Sequence, residues 1–177
     1  MPVILLLLAL AALLPSPVAG QSQQRLSLQG SGALLFPSRD DPFFSNQTRL
    51  GYEAQVRYTA SRLSIGAGYQ RSTVYKFTSQ GVDFTAALSL GFLEPRYVVL
   101  AGDRAALYAA GRLGYGSLVC SEECQANDAY LTYGGGAGVL VLLTTRLSLD
   151  LGTQYFVAND TFSSGYAMLR LGASIGL

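Results

Sequence analysis

The chain has 177 residues, of which 50% are hydrophobic and 13% charged, and its net charge is +1 at pH 7. The charged share is about half that of ordinary soluble domains, the length fits one domain, and no basic run is present that would follow a nucleic-acid backbone. Histidine is absent, which excludes a Ser-His-Asp triad and removes the usual zinc ligand and general base. We therefore expect a chain that contacts lipid, has no cofactor and is not an enzyme.

An unbroken apolar run occupies residues 3–14 at the start of the chain. It is shorter than the roughly 20 residues that a spanning helix needs. Residues 15–20 then supply two prolines, which break a helix, and the small residues of a cleavage site. We expect a signal peptide at residues 1–20, Sec-type export, and one mature domain at residues 21–177.

From Arg25 onward the hydrophobic residues recur with a period of two, which predicts β-strands. Eight such segments follow one another. In each, bulky apolar side chains share one face, while Gly, Ser, Thr and Ala with a few charges share the other. In the fourth segment, this alternation assigns Phe84, Ala86, Leu88, Leu90 and Phe92 to the apolar face.

The connections between the segments are predicted to alternate in length. Short ones fall at residues 59–62, 100–104 and 144–146, and longer polar ones at residues 37–48, 78–81, 119–128 and 158–164. Membrane barrels have short periplasmic turns and longer outer loops. The pattern predicts an all-β fold, an eight-stranded antiparallel up-and-down transmembrane barrel, with both ends of the mature chain on the periplasmic side.

The size of the side chains decides which face is predicted to meet lipid. An eight-stranded barrel has just enough room inside for side chains to fill it, so the small polar face is expected inside and the bulky apolar face outside. Aromatic residues near the loop end of the apolar faces predict an interfacial girdle, formed by Tyr52, Tyr75, Phe84, Tyr115, Tyr133 and Tyr155.

Charged residues on the inner face form the candidate site. Parity places Glu53, Arg57, Arg112, Asp150 and Arg170 there, and Glu94 and Arg96 join them if a bulge near Phe92 shifts the alternation of the fourth strand. Because buried charges must pair, we predict a lumen network that fills the barrel and fixes strand register, without an open diffusion pore. Gating or ion passage through the network is the alternative.

The two cysteines, Cys120 and Cys124, fall in a predicted loop. In an exported protein this spacing favours a small disulfide. A metal site is disfavoured, because two thiols without histidine make a poor ligand set.

The leader, the eight alternating segments, the stretches at residues 94–97 and 111–116, and the C-terminal residues 169–177 resemble the small eight-stranded outer-membrane proteins of the OmpA and OmpX type. The resemblance implies a barrel in the outer membrane of a bacterial cell, in contact with outer-membrane lipid and inserted by the barrel assembly machinery. It further implies a structural or surface-interaction role, in which the loops can meet an extracellular ligand. A secreted soluble ligand-binding barrel of lipocalin style and a narrow ion-conducting barrel are the alternatives.

Overall fold

The computed structural model describes residues 25–37, 49–79, 82–120, 129–159 and 165–177, and the regular structure in these ranges is entirely β. Each strand pairs antiparallel with its neighbours in sequence, and the last strand pairs with the first to close an up-and-down barrel. This confirms the predicted fold class. The strands are β1 (Leu26–Pro37), β2 (Arg49–Ala60), β3 (Leu63–Ser79), β4 (Val82–Ala101), β5 (Ala105–Cys120), β6 (Ala129–Leu142), β7 (Leu147–Asn159) and β8 (Gly165–Gly176).

Closure leaves the described part of the sheet without a free edge. The β1–β8 ladder runs from Ser27 opposite Gly176 to Pro37 opposite Tyr166, and beyond it the amide of Leu177 donates a hydrogen bond to the Leu26 carbonyl at 2.9 Å. Backbone groups that are all paired within the sheet can face an apolar medium without cost. Within the described ranges, no helix has the length and hydrophobicity to cross a bilayer.

An arginine precedes each odd-numbered strand at the turn end of the barrel. The carbonyls of Arg25, Arg62, Arg104 and Arg146 each accept a hydrogen bond from the even-numbered strand that follows, at 2.7–2.8 Å. The three turns between β2 and β3, β4 and β5, and β6 and β7 are short, as predicted, at residues 61–62, 102–104 and 143–146. The four connections at the opposite end, residues 38–48, 80–81, 121–128 and 160–164, lie outside the described residues.

Side chains alternate between the two faces along the strands. Outward positions carry large exposed apolar residues, such as Leu50 at 73% and Leu171 at 62% exposure, whereas inward positions such as Gln70 and Ser72 are 1% exposed. The predicted polarity, with bulky apolar residues outside, is therefore correct for the described parts of every strand except β4.

In β4 the predicted apolar face points the wrong way. Leu88, Leu90 and Phe92, expected to face outward, are 2–5% exposed and lie in the lumen. The reason is that the loop half of the lumen is apolar, so bulky side chains face inward there. The side chains of Phe84 and Ala86 lie outside the described residues.

The bulge near Phe92, on which we made the lumen position of Glu94 and Arg96 conditional, is absent. Inward positions follow one another without a break from Leu88 to Val98, and the register shift lies between Val98 and Leu100. Glu94 and Arg96 therefore face the lumen because they share the parity of Leu88, and no reset of the strand is needed.

The predicted long connection at residues 78–81 is wrong as well. β3 continues to Ser79 and β4 begins at Val82, and these two residues pair with each other. At 17 and 20 residues, β3 and β4 are longer than the 12-residue β1. The polar composition of residues 78–81 resembled a loop, but Thr78 and Ser79 belong to the paired end of β3, whose register with β4 shifts between Thr73 and Tyr75.

The core lies inside the barrel as two apolar clusters, which we call caps. The loop-end cap consists of Ala33, Leu35, Leu88, Leu90, Phe92, Phe156, Tyr166 and Met168. The turn-end cap consists of Val98, Ala106 and Tyr108, with Ala110 and Leu140 packed against it. Strand β4 contributes to both caps, and its inward residues between them are Glu94 and Arg96.

Candidate functional site

A layer of ionised side chains lies in the lumen between the two caps. It contains all seven charged residues predicted for the lumen, four arginines and three carboxylates, each at most 5% exposed. We call it the charge layer, and its members are Glu53, Arg57, Glu94, Arg96, Arg112, Asp150 and Arg170. Four positive against three negative groups leave an excess of one positive charge within the layer.

Glu94 is the centre of the charge layer. Its Oε1 accepts hydrogen bonds from Nη2 of Arg57 at 2.8 Å and from Nε of Arg96 at 2.7 Å. Its Oε2 accepts from Nη2 of Arg112 at 2.6 Å and from Nη1 of Arg170 at 2.9 Å. One fully buried carboxylate on β4 therefore binds arginines of β2, β5 and β8 as well as a neighbour on its own strand.

The other two carboxylates engage three of these four arginines and share Arg170. Glu53 accepts from Nη1 of Arg112, and its Oε2 lies 3.2 Å from Nη1 of Arg170. Asp150 Oδ2 lies 2.8 Å from Nη2 of Arg96 and 3.5 Å from Nη2 of Arg170. Each arginine of the layer thus contacts at least one carboxylate, as low-dielectric burial requires.

Neutral polar side chains, which were not among the predicted site residues, complete the layer. Tyr108 donates to Asp150 Oδ1 at 2.6 Å and accepts from Nη2 of Arg170 at 3.0 Å. Gln29 donates to Asp150 at 2.6 Å, and Gln154 donates to Glu94 at 2.8 Å. The alternation along each strand shows in the sequence that these side chains face inward. Their partners lie on strands far apart in the sequence and could not be predicted from it.

Glycines make room for the long arginine side chains. Gly66 lies between Arg57 on β2 and Glu94 on β4 in the strand register. A Cβ at this position would lie 2.6 Å from Nη2 of Arg57, so a larger residue would obstruct the contact with Glu94. A Cβ at Gly152 would likewise lie 2.7 Å from the Tyr108 hydroxyl. These glycines position the charge layer without contributing a charge.

Aromatic rings of the caps cover the charge layer from both ends. The guanidinium carbon of Arg112 lies 3.9 Å from the ring centre of Phe92 and 5.2 Å from that of Phe156, both in the loop-end cap. On the other side, Arg96 lies 4.5 Å from the ring centre of Tyr108 in the turn-end cap. Cation–π contacts of this kind are favourable when the cation is shielded from water. The caps therefore stabilise the arginines and separate them from both barrel mouths.

The chemistry of this arrangement is that of a structural link between strands. All three carboxylates are engaged by arginine, so none is available as a base or a metal ligand in this geometry. Among the described residues, no three acidic, cysteine or histidine side chains lie close enough together to hold a metal ion. Buried ion pairs add specificity more readily than net stability, which fits a role in setting strand register.

Four of the six predicted girdle residues are described with their side chains. Tyr52, Tyr115, Tyr133 and Tyr155 face outward and are 49–64% exposed. The side chains of Tyr75 and Phe84 lie outside the described residues. So do Cys124 and the side chain of Cys120, and the disulfide therefore stays a prediction.

Replacing Glu94 by glutamine is expected to lower the free energy of unfolding by about 3–5 kcal/mol, because it leaves four buried arginines undercompensated. Glu53→Gln is expected to cost less, since Glu53 contacts two arginines. The measurement is urea denaturation of the purified folded protein, followed by circular dichroism.

The matched control is Asp103→Asn, which removes an exposed carboxylate from a turn and should change the unfolding free energy by less than about 0.5 kcal/mol. A Glu94→Gln variant as stable as this control would contradict the central position of Glu94 in the layer.

No protein-family profile matches the chain, and no curated protein matches it in sequence. Among solved structures it is similar to Neisserial surface protein A, with a TM-score of 0.68 and 18% identity over 86% of this chain and 97% of that one. It is also similar to Ail, the attachment invasion locus protein of Yersinia pestis, with a TM-score of 0.55 and 14% identity over 85% of this chain and 95% of that one. Outer membrane protein H of P. aeruginosa is similar as well, with a TM-score of 0.55 and 18% identity over 84% of this chain and 98% of that one. The chain therefore has the fold of the small eight-stranded outer-membrane barrels, as its resemblance to that class implied.

Proposed function

We propose that the protein is an integral β-barrel of a bacterial outer membrane, with a filled lumen, no open diffusion pore, and a structural or surface-interaction role. The observation that carries the proposal is the inverted polarity of the barrel. Outward residues such as Leu171 and Ile175 are at least half exposed, while Glu94, Asp150 and Arg170 are fully buried. This distribution suits a barrel surrounded by acyl chains and not by water.

The soluble ligand-binding alternative needs the opposite distribution. A lipocalin-style barrel keeps its large apolar side chains around an internal cavity and presents polar ones to water. Here the apolar face continues round the described strands, and contiguous exposed apolar surface on soluble monomers rarely exceeds a few hundred Å². The similarity to outer membrane protein H, solved in detergent micelles, supports the membrane alternative.

The two ends of the apolar band carry the groups expected at membrane interfaces. The exposed Tyr52, Tyr115, Tyr133 and Tyr155 lie toward the loop end. The turn end carries the exposed Tyr58 and Tyr97 together with Arg25, Arg62, Arg104 and Arg146. We place the turns in the periplasm and the loops outside the cell. In this proposal, residues 1–20 direct Sec-type export, the barrel assembly machinery inserts the strands, and the loops are available to an extracellular ligand.

A closed lumen fits the structure better than the ion-conducting alternative. A permeating ion would have to cross both apolar caps as well as the charge layer. The residues of the caps are at most 5% exposed, and the charge layer between them consists of arginines and carboxylates in direct contact. Similar structures such as Neisserial surface protein A and Ail carry names that refer to the cell surface and to attachment, which supports a surface role.

Two adjacent residues of β4 test the proposed polarity. The chain contains no tryptophan, so Leu93→Trp and Phe92→Trp each introduce a single tryptophan at nearly the same depth, which can be excited selectively above the absorption of tyrosine. Leu93 is 54% exposed on the outer face and Phe92 is 5% exposed in the lumen. Lipids brominated on their acyl chains should strongly quench the fluorescence of the Leu93→Trp variant and hardly affect that of Phe92→Trp.

Equal quenching of the two variants, or stronger quenching of Phe92→Trp, would contradict the proposal. If the larger ring at residue 92 prevents folding, Phe156→Trp provides a second lumen position, since Phe156 is 1% exposed.

A planar-bilayer recording tests the closed lumen. The purified protein is expected to give no current steps above those of the lipid alone, because the caps and the charge layer leave no continuous polar path across the described barrel. A general porin inserted in the same way serves as the positive control. Reproducible steps of constant amplitude from the wild-type protein would favour the ion-conducting alternative.

A further inference from the structure

A groove of about 660 Å³ crosses the outer face of the barrel from β3 over β2, β1 and β8 to the start of β7. Small residues, Gly30, Ala54, Ala67 and Ala173, line it together with the larger Tyr69 and Ile175. Its volume is similar to that of a small-ligand site, but the groove is largely open to the surroundings of the barrel and would cover only one side of a ligand. The groove is therefore large enough for part of an amphiphilic molecule.

The packing of the barrel does not require glycine in this groove. A Cβ added at Gly30 would meet nothing within 4 Å, and the same holds for Gly32 farther along the strand. At the lumen-facing Gly136, by contrast, a Cβ would lie 2.0 Å from the Thr153 carbonyl oxygen. At Gly136 the neighbouring strand leaves no room for a side chain, whereas Gly30 and Gly32 leave space on the outer face of the barrel.

An outward-facing arginine stands at the loop-side rim of the groove. Arg71 is exposed and lies two residues from Tyr69 on the same strand and face, which is about 7 Å along a β-strand. Its partner in the strand register is the exposed Tyr52. Of the acidic side chains that the structure describes, three lie in the charge layer and the fourth, Asp103, lies in a turn at the opposite end. None of these is within reach of Arg71.

We propose that this groove binds one anionic lipid of the outer leaflet, with an acyl chain along the groove and the lipid phosphate on Arg71. The inference rests on the proposed function, since it places the outer face of β1–β3 in a membrane. An apolar groove beside a cation matches a molecule with an apolar chain beside an anion. The phosphate also provides Arg71 with the charge-assisted hydrogen bonds that no described carboxylate provides.

A second copy of the chain fits the groove less well than a lipid. Two concave faces cannot fill each other. A two-fold contact would bring a second Arg71 to the same interface without an acidic partner from the described outer face, and like charges in an apolar interface repel.

Native mass spectrometry of the detergent-solubilised full-length mature protein tests the proposal. Dimyristoyl phosphatidic acid is the probe, and dimyristoyl glycerol has the same chains without the phosphate. The wild-type protein should retain one phosphatidic acid and about tenfold less dimyristoyl glycerol, the ratio expected from one charge-assisted hydrogen bond. Arg71→Gln and Gly30→Leu should each reduce phosphatidic acid retention by about tenfold, the first by removing the cation and the second by filling the groove.

Two control variants match these changes elsewhere on the barrel. Gly111→Leu adds the same side chain at another outward glycine, where a Cβ has only ordinary contacts at 3.8 Å or more. Arg104→Gln removes an exposed arginine at the turn end. Both controls should retain the probe as the wild type does. Heat-dependent gel mobility establishes that each variant is folded before its retention is compared.

Equal retention of both lipids, loss of retention in the controls, or unchanged retention in Arg71→Gln and Gly30→Leu would each overturn the proposal. If millimolar inorganic phosphate displaced the probe as effectively as lipid does, Arg71 would bind anions without any contribution from the groove, and the proposal would be wrong. If dimers appeared in place of lipid adducts, the occupant would be a second copy of the chain. If the lipid retention experiment fails while brominated lipid still quenches the Leu93→Trp variant, only the lipid site is overturned. If brominated lipid does not quench that variant, the proposed function itself is overturned.

Discussion

The structure depends on one constraint: a small closed barrel with an apolar outer face has to pair the ionised side chains that its strands bury in the lumen. Glu94 meets this constraint most directly, because one carboxylate contacts arginines from β2, β4, β5 and β8. A lone charge in an interior of low dielectric constant would be very costly. The contacts of Glu94 thus connect strands that are not neighbours in the sheet.

The remaining features of the lumen follow from that arrangement. Long arginine side chains need space, which Gly66 and other inward glycines supply. Flat guanidinium groups also need shielding, and Phe92 and Tyr108 provide it from the two caps. The lumen is therefore layered along the barrel axis as apolar, ionic and apolar. A filled interior of this kind leaves contact with other molecules to the outer face and the loops.

Much of this architecture could be predicted from the sequence, because a period of two is visible residue by residue and alternation determines which charges share a face. Glu53, Arg112 and Arg170 were placed in the lumen on parity alone. The rule that bulk faces lipid misplaced Leu88, Leu90 and Phe92, since it assumes one polarity along the whole strand. Individual contacts could not be predicted, because pairs such as Gln29 and Asp150 lie 121 positions apart in the sequence. The groove at Gly30 could not be predicted either, because it depends on which outward residues become neighbours when the barrel closes.

The dependence of folding on amphiphiles tests the central claim most directly. The mature chain, unfolded in urea, is diluted into buffer alone or into buffer with lipid vesicles, and circular dichroism together with sedimentation reports its state. An outer face of exposed leucine, valine and tyrosine predicts a folded β-barrel only in the presence of lipid, with aggregation in buffer alone. A folded, monodisperse monomer in plain buffer would contradict this account.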